Sequence, residues 1–479
     1  MSRAKNLIIE YQDYGNYQSG DGIIEHSGFN RISFGSYFDI YPDKNRTIEL
    51  KFLGNIGENT GYPALPMDAE KDEGFIGLVS YTQKNLTKNW SLLSSKVYFN
   101  KVNHVMNNKL RSNYSMMQME TIGHMRTFGG DLVSNFTSSD KSLKAGIDFY
   151  QTNGDATRTM MMTFRDWPDA TIRDIGVFAE YQSFLTSQVL FRSGLRSDLS
   201  QASAKEISDG YMNYWNLGSI PAKKEADFSG NLSVTYEVNG KLTAGGSIAK
   251  GNRIPEIAEY YSYYSINRFD NHDYIGNPEL NNESNTNFEL QFKLDYDAFQ
   301  TEVSGYWNLI ENYIVGKVLS EETPKTSGAN GVQVYQNLGQ AEVKGIEGNW
   351  KLRLPYGLRL LGNMSYTVGQ DKENDEPLPE ISPFETTLGL KYMNSKNKSW
   401  LQVNSRFVAE QNRISTITGE DKAPAFQVFD LRIGYTKLEH FQIFAGIENI
   451  FNESYYEHLN RNNILSQGRN IYLIMKLTS

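Results

Sequence analysis

The chain has 479 residues, enough for a sizeable core, yet it is polar for its length: 39% hydrophobic, with a mean hydropathy of −0.53 and a formal net charge of −9. No run approaches the roughly 18 apolar residues of a membrane helix, which excludes a helical membrane protein, and the acidic balance lacks the basic footprint of a nucleic-acid binder. Cysteine is absent, so disulfide frameworks and thiolate metal sites are excluded as well.

In chain order, apolar and polar residues alternate with period two near 7–11, 32–40, 47–53, 75–81, 90–103, 121–134, 143–150, 175–183, 189–195, 228–236 and 242–248. The pattern continues near 288–296, 299–307, 332–354, 358–366, 386–392 and 400–407, and ends with three strands after residue 425. Successive side chains of a strand point to opposite faces, so each run carries one apolar and one polar face. Phe288, Leu290, Phe292, Leu294 and Tyr296 against Glu289, Gln291, Lys293 and Asp295 is the cleanest case. The closing strands repeat it with Phe429, Leu431, Ile433 and Tyr435, then Phe441, Ile443, Ala445 and Ile447, then Ile471, Leu473, Met475 and Leu477. Roughly twenty such runs are present, many matching the about 9–11 residues of a tilted membrane strand. No helix-period run of similar length stands out, and no fixed repeat points to a propeller or solenoid.

The connections alternate too. Tight joints at 42–45, 84–88, 138–141, 239–240, 297–298, 355–357, 394–397 and 437–439 take turns with long loops near 57–70, 154–173, 201–226, 251–283, 319–331, 369–383, 411–424 and 452–469. Short turns on one rim and long loops on the other describe an outer-membrane barrel whose short turns face the periplasm. Closure removes sheet edges, so the apolar face meets lipid without unpaired backbone groups. The expected fold is all-β, a transmembrane antiparallel β-barrel of about 20–22 strands over residues 1–479. The competing reading is a surface β protein without transport. The start of the chain has only three consecutive apolar residues, Leu7, Ile8 and Ile9, short of a secretory signal. An outer-membrane destination therefore implies a longer natural chain.

Several stretches resemble the barrel of TonB-dependent outer-membrane receptors. They are Arg253-Ile-Pro255 with Gly276-Asn-Pro278-Glu-Leu280-Asn-Asn-Glu283, Asn337-Leu-Gly339 through Gly345-Ile-Glu-Gly348, Glu448-Asn-Ile-Phe451 through Tyr455, and Gly468-Arg-Asn-Ile-Tyr472. They come in the family's order across the second half. The resemblance implies a bacterial outer-membrane location, a barrel of about 22 strands filled by an N-terminal plug, and energy from the TonB-ExbB-ExbD complex through a short N-terminal box. No room precedes Leu7 for plug or box, so the chain reads as the barrel portion of a longer receptor. Outer-membrane lipids and the barrel-assembly machinery are the other implied partners. Ser479 stands where the family places a terminal aromatic that this machinery recognises, so Ser479→Phe is expected to improve insertion, and equal outer-membrane yield would refute it.

In the first third, Gly61-Tyr-Pro-Ala-Leu-Pro66-Met67-Asp68, Val102-Asn-His104-Val-Met106, Ser115-Met-Met-Gln-Met119 and Gly129-Gly130 are similar to the copper-importing branch of the family. There a barrel His-x-Met pairs with Cys-x-x-x-Met from the plug; His104 and Met106 match the first half. Positions i and i+2 of a strand share a face, so imidazole and thioether approach one ion together. Thioether is a soft ligand that favours Cu(I), and imidazole suits copper. Eight of the 14 methionines, Met106, Met116, Met117, Met119, Met125 and Met160 to Met162, fall in this region. His104 and Met106 are the expected copper ligands, with support from Met116, Met117, Met119 and His124. Methionine is also a flexible apolar filler, so the same clustering arises from packing alone.

The Tyr-rich loop 260–264 with Arg268 offers an aromatic and cationic surface for a siderophore or corrinoid, against plain aromatic packing. His26, His272, His440 and His458 have no partner at ligand spacing and read as surface residues. Nucleophile elbows, zinc-binding His-Glu-x-x-His and phosphate-cradling loops are missing, so no enzyme is expected. The expected function is uptake of copper as cargo with no cofactor required. The runner-up is a siderophore or cobalamin receptor of the same fold.

Overall fold

The computed structural model describes residues 2–266, 270–326, 328–394, 396, 398–416, 418–436 and 441–477, with the backbone alone for 2–5 and 461. Arg268, His440, Ser479 and the expected turn at 437–439 lie outside these residues, as do two positions of the expected turn 394–397.

The period-two runs become one 23-stranded sheet. Three short strands, Tyr263–Ile266, Asp273–Ile275 and Glu376–Pro377, sit in loops, which leaves 20 wall strands. Each wall strand pairs antiparallel with the next in the chain, from Ser2–Tyr14 paired with Phe29–Asp43 to Phe441–Glu448 paired with Asn470–Leu477. Every alternating run of the sequence falls on its own wall strand.

Register aligns the apolar parity from strand to strand. Phe38 stands opposite Leu50, Leu50 opposite Val79, and Val79 opposite Val97; all four are exposed on the outer face. At the other end, Ile433 faces Ala445, which faces Leu473. This is the apolar belt that a barrel turns toward hydrocarbon. The opposite parity carries the charges, which are compensated in place: Arg196 binds Asp148 at 2.6 and 2.9 Å, and Arg406 binds Glu385 at 2.8 Å.

The sheet curls until its ends meet. Gly468 N–H donates to Gln18 O at 2.8 Å, the Tyr17 hydroxyl to Leu465 O at 2.7 Å and the Ser454 hydroxyl to Asp21 at 2.6 Å. Among the described residues no ladder joins Ser2–Tyr14 to Asn470–Leu477. Leu7, Ile8 and Ile9 are accordingly exposed at successive positions, as on an edge strand.

The expected loop at 154–173 is mostly strand: Lys141–Thr159 and Thr163–Phe184 pair almost to their tip at 160–162. Above the lipid belt the backbone ladder continues, but the reason for strict alternation ends, so the pattern fades. The other long loops fold inward over the mouth. Short helices Asp209–Tyr214 and Ile257–Tyr261 form there, the first capped by Ser208 accepting from Tyr211 N–H. Ile257, Tyr260 and Tyr261 pack on Ala170, Ile172 and Ile314. Tyr260, Tyr261 and Tyr264 are buried, which corrects the expectation of an aromatic surface: the Tyr211 hydroxyl donates to Tyr260 O at 2.6 Å and that of Tyr264 to Glu322 at 2.7 Å.

Candidate functional site

Trp90–Asn107 is the central strand of the site. Its inner parity carries Val102, His104 and Met106, which stand opposite Met125, Gly123 and Thr121 on Glu120–Thr137. On the other side Asp72 faces His104 and Ala69 faces Met106 across a bulge between Ala69 and Lys71. The Asp72 carboxylate hydrogen-bonds His104 Nδ1. A carboxylate on one ring nitrogen is the arrangement that fixes the tautomer and orientation of metal-binding histidines.

Two buried polar residues shape the connections above. Asp68 accepts Tyr62 N–H at 3.0 Å and Arg111 Nε at 2.9 Å, and meets His26 Nδ1 at 2.9 Å. Arg111 Nη2 also donates to Tyr62 O at 2.8 Å. This hub turns segment 61–67 inward, so Leu65 and Met67 pack on Met106 and Met119. Asn108, fully buried, donates to Met117 O at 2.7 Å and accepts Met119 N–H at 2.8 Å, which pins the turn carrying Met119.

Beneath these segments lies a cavity of about 660 Å³ lined by Met67, His104, Met106, Met119, Met125 and Met160. Tyr62, Trp167, Tyr274 and Tyr335 complete the wall. Arg158 and Asp166, a buried pair at 3.2 Å, close the upper side, and Arg158 holds the loops by donating to Tyr264 O at 2.8 Å and to Thr326.

Of the residues expected from sequence, His104, Met106 and Met119 meet in this cavity, and Met117 packs against its cluster. Met116 is 84% exposed and points away. His124 borders the cavity, but it stands opposite Asn103, on the strand face away from His104, with Nδ1 3.0 Å from Asn103 Oδ1. Met67, Met125 and Met160 were not expected as ligands. The parity of 121–134 already placed Met125 on the inner face; only loop folding brings in Met67 and Met160. Among the described residues no group of three or more His, Asp or Glu side chains is set to hold a metal.

A curled antiparallel wall with short turns, long inward loops and a cavity beneath them defines a receptor barrel. The chain belongs to the TonB-dependent receptors: residues 10–450 match the family described as "TonB dependent receptor-like, beta-barrel". This is a family of transport receptors of the bacterial outer membrane. Heme/hemopexin utilization protein C of Haemophilus influenzae (strain 86-028NP) is 26% identical over 340 residues, 66% of this chain and 43% of that protein. The probable TonB-dependent siderophore receptor PirA of Acinetobacter baumannii is 22% identical over 298 residues, 53% of this chain and 39% of the other. The chain thus spans less than half the length of these curated relatives. Among solved structures, the copper transporter OprC aligns with a TM-score of 0.87 at 21% identity, over 99% of this chain and 75% of that one. The Serratia marcescens hemophore receptor HasR aligns with 0.77 at 15% identity, over 99% and 76%. At these identities the likeness is one of fold.

Proposed function

We propose that this chain is the barrel of a receptor that takes up copper, in its thiophilic Cu(I) state, across the outer membrane. The observation that carries the reading is the convergence of Met67, Met106, Met119, Met125 and Met160 with His104 on one cavity. Soft thioethers select Cu(I) over harder divalent ions, and imidazole adds a stronger ligand. Asp72 holds the His104 ring. The ion enters under the outer loops, exchanges ligands without covalent chemistry in the chain, and is released inward with energy delivered by TonB-ExbB-ExbD. That OprC bears the name of a copper transporter agrees with this reading.

The test is metal analysis of the complete receptor equilibrated with Cu(I), Zn²⁺ and Fe²⁺ in competition. Near-stoichiometric copper that is lost in a His104→Ala/Met106→Ala double variant is the expected result. Retention of zinc or iron in its place, or unchanged copper in the variant, overturns the proposal.

A second reading has specific support. Histidine and methionine are both axial ligands of haem iron, Trp167 and Tyr335 line the same cavity, and a curated relative is named for heme/hemopexin utilization. A saturable haem absorption band abolished by the same double variant would favour that cargo.

A further inference from the structure

Inside the mouth, a second space of about 300 Å³ behind Tyr274 and Tyr335 is acidic, lined by Glu259, Asp270, Glu380, Glu420 and Asp421. The outer face of the wall is basic at one place, and it is notched just below.

The notch belongs to the lipid belt. Ser36, Phe52, Gly77, Phe99 and Phe128 stand in one row across five neighbouring strands, from Phe29–Asp43 to Glu120–Thr137. Phe52, Phe99 and Phe128 are exposed on the outer face, whereas Gly77, between the first two, leaves its place empty. Nearby outward glycines are roofed: a side-chain carbon at Gly54 would strike the Phe34 ring, and one at Gly130 would meet Lys96 O and the Phe149 ring. One at Gly77 would touch nothing within 4 Å. The result is an open apolar groove of about 450 Å³ with Phe52 and Phe99 as its sides, continued toward the short turns by Leu50, Val79 and Val97.

Two residues further toward the outer loops, about 7 Å along a strand, the same face turns basic. Lys101 and Arg126 stand directly opposite one another there, and like charges so placed repel. Arg173 flanks them, paired across the ladder with Gln151, which itself faces Phe128. Its Nε donates to the neutral Gln151 Oε1 at 2.8 Å. Of the outward acids nearby, Glu73 is held by Lys71 at 2.7 Å and Asn103 at 3.1 Å, and Asp155 stands one step higher, opposite His124. Among the described residues no carboxylate lies within ion-pair distance of Lys101, Arg126 or Arg173. On the inner face, by contrast, Lys96 binds Asp131 at 2.6 Å.

We propose that this face is a specific site for a phosphate-bearing, acylated lipid of the outer leaflet, its phosphate among Lys101, Arg126 and Arg173 and one acyl chain over Gly77 between Phe52 and Phe99. An anion set between the opposed cations removes their repulsion. Charge-assisted bonds to phosphate are the stronger kind, and arginine grips it with two parallel N–H groups. A free phosphate would leave the groove empty, and an uncharged lipid would leave the cations uncompensated. The site uses none of the thioethers, so it stands or falls apart from the copper reading.

Native mass spectrometry of the complete receptor in a non-ionic detergent, offered bis-phosphorylated lipid A, the same lipid stripped of its phosphates, or inorganic phosphate, tests it. Retention of the phosphorylated lipid is expected, at least tenfold weaker in Lys101→Gln/Arg126→Gln and severalfold weaker in Gly77→Leu, where the open space accepts a side chain. An unchanged heat-dependent gel shift of the barrel shows that both variants fold. Absence of retained lipid, equal retention of the phosphate-free lipid, displacement of the lipid by an equal concentration of inorganic phosphate, or indifference to either folded variant overturns the proposal.

Discussion

The two cavities beneath the outer loops share Tyr274 and Tyr335 as a partition, yet their chemistry is opposite. On one side five thioethers and the His104 imidazole line a largely apolar space; on the other, five carboxylates and three tyrosines share the wall. The difference teaches that one capped mouth can carry two walls of opposite character, set by which strands and loops supply each. The thioether side draws on both strands and connections: His104 and Met106 occupy fixed positions of Trp90–Asn107, braced by neighbours at known register, and Met125 stands on Glu120–Thr137, while Met67, Met119 and Met160 come from the connections. The acidic side is built on loops, with His458, Glu420 and Glu380 contributed by three connections far apart in the chain.

The largest effect is expected from removing His104 and Met106, the two residues proposed to bind copper on Trp90–Asn107. His104→Ala/Met106→Ala is expected to weaken Cu(I) binding by more than about 100-fold, above the range seen for supporting residues alone, measured by competition with a chelator of known affinity. Next is the hub of segment 61–67. Asp68→Ala leaves Arg111, only 13% exposed at its side chain, without its carboxylate; breaking such a pair costs about 3 kcal/mol. Hydrogen exchange should rise in 61–67 and 108–119 while the wall strands stay protected. Smaller still is Asp72→Asn, which spoils the orientation of His104 and should cost about tenfold in copper affinity.

The comparison sharpens with pH. Burial pushes the Glu420 carboxyl up, but His458 and the N–H groups of Ser415 and Glu380 outweigh it and hold the pKa below the ordinary carboxylate value. A depressed folded pKa contributes stability above the unfolded value, and that contribution is lost as pH falls through the folded one. Protection of 411–424 and 452–469 should therefore drop below about pH 4.5, with the drop abolished in Glu420→Gln. The smallest effect is expected at the exposed Met116: Met116→Ala should change equilibrium copper content by less than about twofold.

How far the sequence announces all this follows from the same contrast. A wall strand must alternate because lipid and lumen lie on its two faces, so Phe288 to Tyr296 reads correctly and each of the 20 wall strands is visible. His104 and Met106 share that parity and are legible with it. Where both faces meet protein or water the constraint lapses, and Thr163–Phe184 is legible only from about residue 175. His272 and His458, expected at the surface, are buried. Their partners arrive from loops that local pattern does not place: Asp270 stands beside His272, while Glu420 reaches His458 across 38 residues. His124 illustrates the converse, since one step of parity carries its ring to the far face, against Asn103.

X-ray absorption at the copper edge of the complete receptor loaded with Cu(I) tests the central claim most directly. A first shell dominated by sulfur with one imidazole nitrogen is expected, losing sulfur in Met106→Ala and nitrogen in His104→Ala. A shell of nitrogen and oxygen alone, unchanged in both variants, would contradict it.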